Sequence, residues 1–215
     1  MSNPTTPASI GPGEFFPVVG VGPHEKPWPE GAQYDPELLL NGDRRNVLDH
    51  YRYWTVEAIV ADLDSKRHKL QIAIENWQHD LNIGSIVRTA NAFNVSGVHI
   101  VGKRDWNKRG AMVTDRYLAV HHHPTVEDFA LWCKENQLPI IGIDNVPGSK
   151  QLESAQLPEK CVLLFGQEGA GMSDEGIAVC EVLYEINQYG STRSMNASAA
   201  GAIAMYHWAL QHLPR

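Results

Sequence analysis

The sequence predicts an α/β fold in which a largely parallel sheet is flanked by helices. Apolar segments of strand length, among them LQIAIEN at 70–76 and CVLLFG at 161–166, alternate with longer segments of helical period. Polar turns rich in Gly, Ser and Asn follow three of the apolar segments. Strands that alternate with helices form parallel sheets, and open sheets of this kind bind ligands beyond the carboxyl ends of their strands.

The N-terminal part has a different pattern. Residues 1–40 are rich in Pro and Gly without a sustained period, which predicts an extended arm that either wraps a partner surface or stays disordered. Its aromatic residues, Phe15 among them, favour the ordered alternative. Apolar residues at helical spacing then predict a helix over 43–67. The predicted domains are therefore residues 1–69, the arm and helix, and residues 70–215.

The second part alternates strands and helices along its length. A strand, helix, strand unit at 70–102 precedes a loop and a helix near 125–136. The elements expected after it are a strand at 139–144, a turn around 150–155, a strand at 161–166, a helix from Ser173, a strand at 182–186 and a last helix. The longest weakly polar run, 197–210, is too short for a bilayer and no N-terminal signal pattern is found, so the chain is expected to be cytoplasmic.

Residues 186–208 combine a strand end, a polar turn and a helix of small residues. Gly190 lets the backbone bend, neighbouring Ser, Thr and Asn side chains offer hydrogen bonds, and Arg193 adds a fixed positive charge. Gly201 and the alanines of the helix allow another backbone to approach closely. This pattern indicates a binding site, and a Ser/Asn-capped core helix is the alternative.

Two further turns carry groups of the same kind. Asn82 and Gly84 lie at the start of the helix after the first strand, and Arg88 follows about one turn later, so an amide and a guanidinium are expected to face one ligand. The loop after the strand at 161–166 is Gly-rich, carries Glu168 and leads to a Ser cap of the next helix. All of these turns follow strands, so we expect them to meet at one edge of the sheet.

Three ordered motifs resemble those of the SpoU/TrmH family of RNA ribose methyltransferases: NIGSIVRTA at 82–90, LLFGQEGAGMS at 163–173 and INQYGSTRSMNAS at 186–198. The resemblance covers about residues 70–212. It implies an S-adenosylmethionine-dependent 2'-O-methyltransferase of the SPOUT superfamily, with a deep C-terminal trefoil knot and a homodimer. The third motif is slightly more similar to branches that modify tRNA than to those that modify rRNA.

The resemblance also implies roles for individual residues. The implied catalytic set is Arg88, Asn82, Glu168, Ser194 and Asn196, and the implied cofactor-binding set is Gly166, Ile186, Met195 and Gly171. Because guanidinium stays protonated, Arg88 is better suited to hold a substrate phosphate and stabilise the developing alkoxide than to accept a proton. The alternatives are a surface charge at Arg88, a solvent-facing acid at Glu168 and a helix cap at Asn82. The proton acceptor stays open, as does whether Arg88 acts within its own subunit or across the dimer.

Charge is distributed unevenly along the chain. The net charge of −7 argues against a general nucleic-acid binder. Residues 103–116 nevertheless carry five basic residues against two aspartates, whereas residues 153–185 carry seven acidic residues against one lysine. The basic stretch is expected beside the site, with Trp106 as a stacking surface for RNA, and a solvated loop is the alternative. The predicted RNA-binding residues are Lys103, Arg104, Lys108, Arg109 and Arg116.

Other functional classes find less support. The three cysteines lack CxxC spacing, and the consecutive imidazoles of 121–123 would point to opposite faces of an extended segment, so free, mostly buried thiols and no metal are expected. A nucleotide-dependent oxidoreductase would need G-x-G-x-x-G after the first strand, but the Gly-rich loop reads GQEGAG and comes late. A non-catalytic RNA-binding or scaffold protein of the same fold is the remaining alternative, and the joint presence of the implied catalytic residues argues against it.

Overall fold

The structure, a computed structural model, describes residues 20–78 and 82–214 of the 215-residue chain. The chain forms two compact units, Met1–Thr55 and Val56–Arg215. The predicted domain division after residue 69 stays a prediction. Among the described residues, no helix is both long enough and apolar enough to cross a membrane.

The second unit is built on a parallel sheet, as predicted. Its described residues form seven strands in the order β3-β2-β1-β6-β4-β7-β5, and every neighbouring pair runs parallel. The strands are β1 (His68–Asn76), β2 (Val95–Gly102), β3 (Val120–His123), β4 (Ile140–Ile143), β5 (Lys150–Gln151), β6 (Cys161–Phe165) and β7 (Val182–Glu185). β6 is buried on both faces, which explains its unbroken apolar sequence.

Helices lie before, between and after the strands, and several of them begin at a side-chain cap. They are α1 (Pro36–Asn41) in the first unit and, in the second, α2 (Val56–Asp64), α3 (Asn82–Ala92), α4 (Val126–Glu135), α5 (Asp174–Val179) and α6 (Ala197–His212). Oγ1 of Thr125 accepts from the N–H of Asp128 at 3.1 Å at the start of α4, and Oγ of Ser173 accepts from the N–H of Gly176 at 3.0 Å at the start of α5. Such caps satisfy amide groups that have no partner within the helix.

Two apolar cores cover the two faces of the sheet. Alternate residues of β6 enter different cores, with Leu163 in one and Leu164 in the other. α3 and α6 pack on the first face and on each other, and Ile83 and Trp208 are buried there. α4 and α5 cover the second face, where Phe129 is buried. Helices on both faces are what a sheet with helical crossovers requires.

The prediction of a helix over 43–67 is wrong in its first half. The α-helix within this range is α2, which begins at Val56 and ends at Asp64. In the first unit the carboxylate of Asp43 accepts hydrogen bonds from the N–H of Arg45 at 2.9 Å, from its guanidinium at 2.7 and 2.9 Å, and from the N–H of Tyr53 at 3.0 Å. Burial alone would raise the pKa of Asp43, but these bonds and the charge of Arg45 lower it to about 2. Side-chain bonds to the backbone compete with the helix and close residues 43–53 into a loop.

α1, β3 and β5 lie outside the predicted order of elements. α1 falls within the predicted arm, where Asp35 caps it and Pro36 opens it. The arm up to residue 19, including Phe15, lies outside the described residues. β3 and β5 are the short edge strands of the sheet, and β3 reads VHHH. Short polar edge strands lack the apolar alternation by which a strand is detected in sequence.

The cysteines are free, as expected from their spacing. Cys133 and Cys161 are buried, and Cys180 is half-buried. Burial raises the pKa of each thiol to about 12. The thiolate needed for nucleophilic chemistry is therefore disfavoured, and these residues pack as small apolar side chains.

A buried histidine network lies at the β2–β3 edge of the sheet. His99 of β2 is fully buried, its Nδ1 lies 2.9 Å from Nε2 of His123, and its Nε2 lies 2.7 Å from Oε1 of Gln71. Its ring stacks with those of His121 and His123, and Trp132 of α4 packs against it. Burial, with a smaller effect of His121 and His123, lowers the pKa of His99 to about 3, and burial also lowers the pKa of His123.

This network predicts a fold that loses stability in acid. Between pH 6.5 and about 3, an unfolded chain binds a proton at His99 that the folded chain does not bind, so the free energy of unfolding falls by up to about 1.4 kcal/mol per pH unit. Urea unfolding at about pH 7.5 and about pH 5 is expected to show a larger difference for the wild type than for His99→Gln. The exposed His50→Gln is the control, and the same pH dependence in all three proteins would contradict the assignment.

Candidate active site

The loops after β1, β4, β6 and β7 come together at one edge of the sheet. Ile74 of β1 and Ile143 of β4 both pair with Phe165 of β6, and Ile143 also pairs with Tyr184 of β7. The carboxyl ends of these strands are therefore level, and the loops leave from the same edge. β6 lies between β1 and β4, which both precede it in the chain. Such a switch in strand order is where open α/β sheets bind ligands.

A cleft of about 590 Å³ opens between the loops after β4, β6 and β7. The residues predicted to bind a cofactor all line it: Gly166, Gly171, Ile186 and Met195. The predicted catalytic residues that line it are Glu168, Ser194 and Asn196. The second and third sequence motifs thus form one cavity, and its size is typical of small-molecule sites.

Asn82, Glu168 and Asn196, one from each motif, form a hydrogen-bonded cluster at the rim of the cleft. Nδ2 of Asn196 donates to Oδ1 of Asn82 at 2.8 Å and to Oε2 of Glu168 at 3.0 Å. Nδ2 of Asn82 donates to the same carboxylate oxygen. Segments far apart in the sequence therefore meet through their polar side chains, and the two amides hold the carboxylate in place.

Asn196 also caps α6. Its Oδ1 accepts from the N–H groups of Ser198 at 3.0 Å and Ala199 at 3.4 Å, and from Oγ of Ser198 at 2.5 Å. Behind the cap, a Cβ on Gly201 would lie 3.4 Å from Ile86 of α3, so the small residues of α6 permit close packing. Asn196 therefore caps α6 and contacts Glu168 at the same time. The cap fixes its side chain in the position from which it contacts Glu168.

Gly166 allows the Gly-rich loop, residues 166–172, to close on itself. A Cβ at this position would lie 2.2 Å from N of Met172 and 2.3 Å from the carbonyl carbon of Gly171. The backbones of Gln167 and Gly171 exchange two hydrogen bonds of 3.0 Å, which makes the loop a tight turn. With so many glycines, this wall of the cleft offers main-chain groups to a ligand.

The family assignment covers all of these segments. A family model described as the SpoU rRNA Methylase family matches residues 69–206, which is more than half of the chain. The chain belongs to this family. The resemblance inferred from the three motifs is confirmed, and with it the class of enzyme, an RNA methyltransferase.

Two tRNA methyltransferases are similar to the chain over about two thirds of its length. The tRNA (guanosine(18)-2'-O)-methyltransferase of Borreliella burgdorferi is 25% identical over 147 residues, which are 67% of this chain and 67% of that protein. The Escherichia coli K12 protein of the same name is also 25% identical over 147 residues, 67% of this chain and 64% of its own length. The chain thus spans about two thirds of such relatives.

Solved SpoU-family structures share the fold. The TrmH/SpoU tRNA modifying enzyme of A. aeolicus matches with a TM-score of 0.64 and 21% identity, over 73% of this chain and 81% of that chain. The SpoU methyltransferase AviRb of Streptomyces viridochromogenes, solved in complex with AdoMet, matches with a TM-score of 0.62 and 22% identity, over 71% of this chain and 61% of that chain. The predicted α/β fold with a largely parallel sheet is confirmed.

In this SpoU-family chain, Arg88 lies apart from the polar cluster. It follows Asn82 by six residues of α3, which places it about 240° around the helix rather than one turn above. Its side chain is exposed, does not line the cleft, and makes no hydrogen bond or ion pair with residues 20–78 or 82–214. The expectation that Asn82 and Arg88 face one ligand is not met within a single chain, where Asn82 and Asn196 bind Glu168 instead.

The structure adds cleft residues that the motifs did not indicate. Asp144 and Asn145 follow β4 and line the cleft. Oδ2 of Asp144 accepts from the N–H of Met172 at 2.7 Å, and Nδ2 of Asn145 donates to the carbonyl of Arg193 at 2.6 Å. The signal available in the sequence is the pair of polar residues directly after the apolar strand PIIGI, at a position where parallel sheets bind ligands.

The basic loop, residues 103–116, packs on α3 through a pair of glycines. A Cβ on Gly84 would lie 2.8 Å from main-chain atoms of Asn107 and Ala111, and a Cβ on Gly110 would lie 2.9 Å from N of Ser85. Only glycine permits so close an approach of two backbones. The loop therefore lies on the helix that begins with Asn82.

The basic side chains of this loop are exposed: Lys103, Arg104, Lys108, Arg109 and Arg116. Lys108 forms an ion pair with Asp115 at 3.0 Å, and its Nζ lies 5.4 Å from the ring centroid of Trp106. Trp106 itself is half-buried and packs against the first core. It is therefore a less open stacking surface than the sequence suggests.

The histidines of β3 are engaged by the fold. His122 Nε2 lies 2.8 Å from the carbonyl oxygen of Gly102, and His123 contacts His99. Within residues 20–78 and 82–214, no group of three or more His, Cys, Asp or Glu side chains could hold a metal ion.

Proposed function

We propose that this chain transfers a methyl group from S-adenosylmethionine to the 2'-hydroxyl of a ribose in structured RNA, with tRNA favoured over rRNA. The observation that supports the proposal most is the meeting of Asn82, Glu168 and Asn196 at the rim of the cleft. The names of the relatives, which describe methylation of a guanosine 2'-oxygen in tRNA, support both the reaction and the preference.

The cleft fits S-adenosylmethionine in size and in chemistry. Its volume of about 590 Å³ lies in the range of small-molecule sites. Ile186 and Met195 offer apolar contacts to an adenine ring, the main chain around Gly166 offers hydrogen bonds, and the carboxylates of Asp144 and Glu168 suit a cationic ligand. The bound cofactor supplies a methyl group that a positively charged sulfur has already activated.

The polar cluster is suited to orient the ribose. The carboxylate of Glu168 is held by the amides of Asn82 and Asn196, so it does not have to reorganise when a hydroxyl group arrives. Ser194 lines the same cleft with an exposed hydroxyl. Alignment of the 2'-oxygen with the methyl group is expected to contribute most of the rate, because the two atoms react only in line.

Arg88 is proposed to hold a substrate phosphate and to stabilise the negative charge that develops on the 2'-oxygen. A guanidinium stays protonated and makes strong, paired hydrogen bonds to phosphate. Because Arg88 is exposed and does not line the cleft of its own chain, we propose that it serves the cleft of a second subunit.

The proposed assembly is a homodimer with a C-terminal trefoil knot. α6 exposes apolar side chains three and four positions apart, at Ile203, Tyr206 and Leu210, which are 42%, 58% and 42% exposed. Such a stripe suits a two-fold interface, in which the same surface is used by both subunits. The insertion of β6 between β1 and β4, which precede it in the chain, supports the knot.

The reaction is tested with purified protein and radiolabelled S-adenosylmethionine. Equilibrium binding is measured first, followed by methyl transfer to total tRNA and to rRNA, and by mapping of 2'-O-methyl groups in RNA from cells with and without the gene. Binding and a nucleotide that loses its methyl group in cells without the gene are expected. Absence of binding would contradict the proposal, whereas binding without transfer to any RNA would favour the non-catalytic scaffold.

The basic loop is predicted to contact RNA phosphates. Replacing Lys108 and Arg109 by Gln is expected to weaken RNA binding and to reduce the slope of log affinity against log salt by about 1 for each phosphate that the variant no longer neutralises. Arg109 is expected to contribute more, because Asp115 already neutralises part of the charge of Lys108. The exposed Lys134→Gln, on α4 at the other face of the sheet, is the control. An unchanged salt slope in the double variant would exclude the loop from the RNA interface.

A further inference from the structure

Asp144 and Asn145 connect the walls of the cleft, although neither belongs to the three sequence motifs. The N–H of Asp144 donates to the carbonyl of Tyr184 at 3.0 Å, which ties the end of β4 to β7. Oγ of Ser149 donates to the carbonyl of Asp144 at 2.9 Å. The bond to Tyr184 fixes the backbone from which the Asp144 side chain leaves, and the bond from Ser149 joins Asp144 to the turn that follows.

The side chain of Asp144 holds the Gly-rich loop. Its Oδ2 accepts from the N–H of Met172 at 2.7 Å, at the end of that loop, and its Oδ1 accepts from the N–H of Asn145 at 2.8 Å. A Cβ on Gly171 would lie 3.0 Å from Oδ2 of the same carboxylate, and the φ of +72° at this position favours glycine as well. The carboxylate thus fixes the distance between the wall after β4 and the wall after β6.

Asn145 holds the opposite wall. Its Nδ2 donates to the carbonyl of Arg193 at 2.6 Å, within the loop between β7 and α6. Residues 186–196 form no helix or strand, and most of 189–196 is exposed. Near its end the same loop is bonded to Glu168 through Asn196. The loop is therefore bonded to residues of the cleft through Asn145 and Glu168, and near its start the N–H of Asn187 donates to Oε1 of Glu153 at 3.4 Å. Of these attachments, the one at Asn145 is nearest the middle of the loop.

We propose that Asp144 and Asn145 are positioning residues that set the width of the cofactor cleft, with Asn145 fixing the turn that carries Arg193 and Ser194. This inference rests on the proposed function in one respect, since it takes the occupant of the cleft to be S-adenosylmethionine. If the turn is released, the side chains that would touch the cofactor are unchanged. The distances between them, however, are no longer fixed. The affinity for the cofactor is lowered, because each binding event then has to order a mobile wall, which costs free energy.

Asn145→Ala is the main test. We expect the Kd for S-adenosylmethionine, measured by calorimetry without RNA, to rise about tenfold. The KM for the cofactor should rise similarly, while the KM for RNA stays within about twofold. Asn145→Asp removes the donor without changing the shape and should be at least as impaired, whereas Asn145→Gln keeps a donor and should recover part of the affinity.

Ser149→Ala is the matched control, because it removes a hydrogen bond from the same residue, Asp144, without touching either wall. An unchanged Kd in Asn145→Ala, or an equal rise in Ser149→Ala, would overturn the proposal. Asp144→Ala should raise the Kd further, since it frees the N–H groups of Met172 and Asn145. This substitution also carries the greatest risk of misfolding, so the Asn145 variants decide the test.

Hydrogen exchange of residues 187–196 separates this proposal from the proposed function. Measured without cofactor, exchange in this segment should be faster in Asn145→Ala than in the wild type and in Ser149→Ala. Unchanged exchange would overturn the positioning role whatever the ligand of the cleft. Faster exchange in a protein that fails to bind S-adenosylmethionine would confirm the positioning role and overturn the proposed cofactor instead.

Discussion

Arg88→Ala is expected to lower the rate of methyl transfer by at least about 100-fold while the Kd for S-adenosylmethionine stays within about twofold of the wild type. The rate falls because the guanidinium is proposed to hold the phosphate and the developing charge. The cofactor affinity is kept because Arg88 is proposed to contact the RNA phosphate and the 2'-oxygen rather than the cofactor. Single-turnover transfer to tRNA and calorimetric titration of the cofactor measure the two quantities. Unchanged turnover would mean that the catalytic centre lies elsewhere.

Mixed dimers test which subunit Arg88 serves. Arg88→Ala and Glu168→Ala chains, each inactive alone, are unfolded, mixed in equal amounts and refolded. Half of the dimers are then mixed. If Arg88 serves the partner's cleft, each mixed dimer has one intact site of two, so about a quarter of wild-type activity returns. If Arg88 acts within its own chain, the mixture stays inactive, and the proposed exchange across the dimer is wrong.

Gly166→Ala is expected to weaken S-adenosylmethionine binding by about 100-fold, equivalent to about 2.7 kcal/mol, and to lower the Tm. The added Cβ would lie 2.2 Å from N of Met172, and this atom belongs to the main chain of the same tight turn. Main-chain atoms cannot turn away as a flexible side chain can, so the Gly-rich loop has to open. Calorimetry and thermal unfolding with and without the cofactor measure both effects.

Gly190→Ala is the matched control for this prediction. It places the same methyl group in the third motif, where no atom of the described residues beyond the two chain neighbours lies within 4 Å of the new Cβ and the backbone has no positive φ. Affinity and Tm are expected to stay close to the wild type. A comparable loss in both variants would mean that any added methyl group near the cleft disturbs it, and the specific role of the turn at Gly166 would be excluded.

The sheet was largely predictable because its central strands are buried. β6 reads as an unbroken apolar run, and the caps Thr125 and Ser173 mark helix starts by a local rule. The helix over 43–67 failed for a different reason. Its apolar residues have a helical spacing, but the competing bonds from Arg45 and Tyr53 to Asp43 depend on a buried carboxylate that spacing does not reveal.

Residues of the cleft could be predicted from the sequence where the residue type alone indicates a ligand-binding role. Gly166 and Gly171 in a loop after a buried strand, and Glu168 between them, indicate a ligand wall from local sequence, and all three line the cleft. Asp144 and Asn145 were missed because a polar pair after a strand is common in loops. Only their contacts with Met172 and Arg193, far along the chain, distinguish them.

The strand and helix pattern, the caps and the three motifs follow from the chain alone, because burial period, turn chemistry and residue type are local properties. The order of the strands is not local. It places β6 between β1 and β4 and brings Asn82, Glu168 and Asn196 within hydrogen-bonding distance. Distances between segments that are more than 80 residues apart depend on how the layers pack, which no local rule contains.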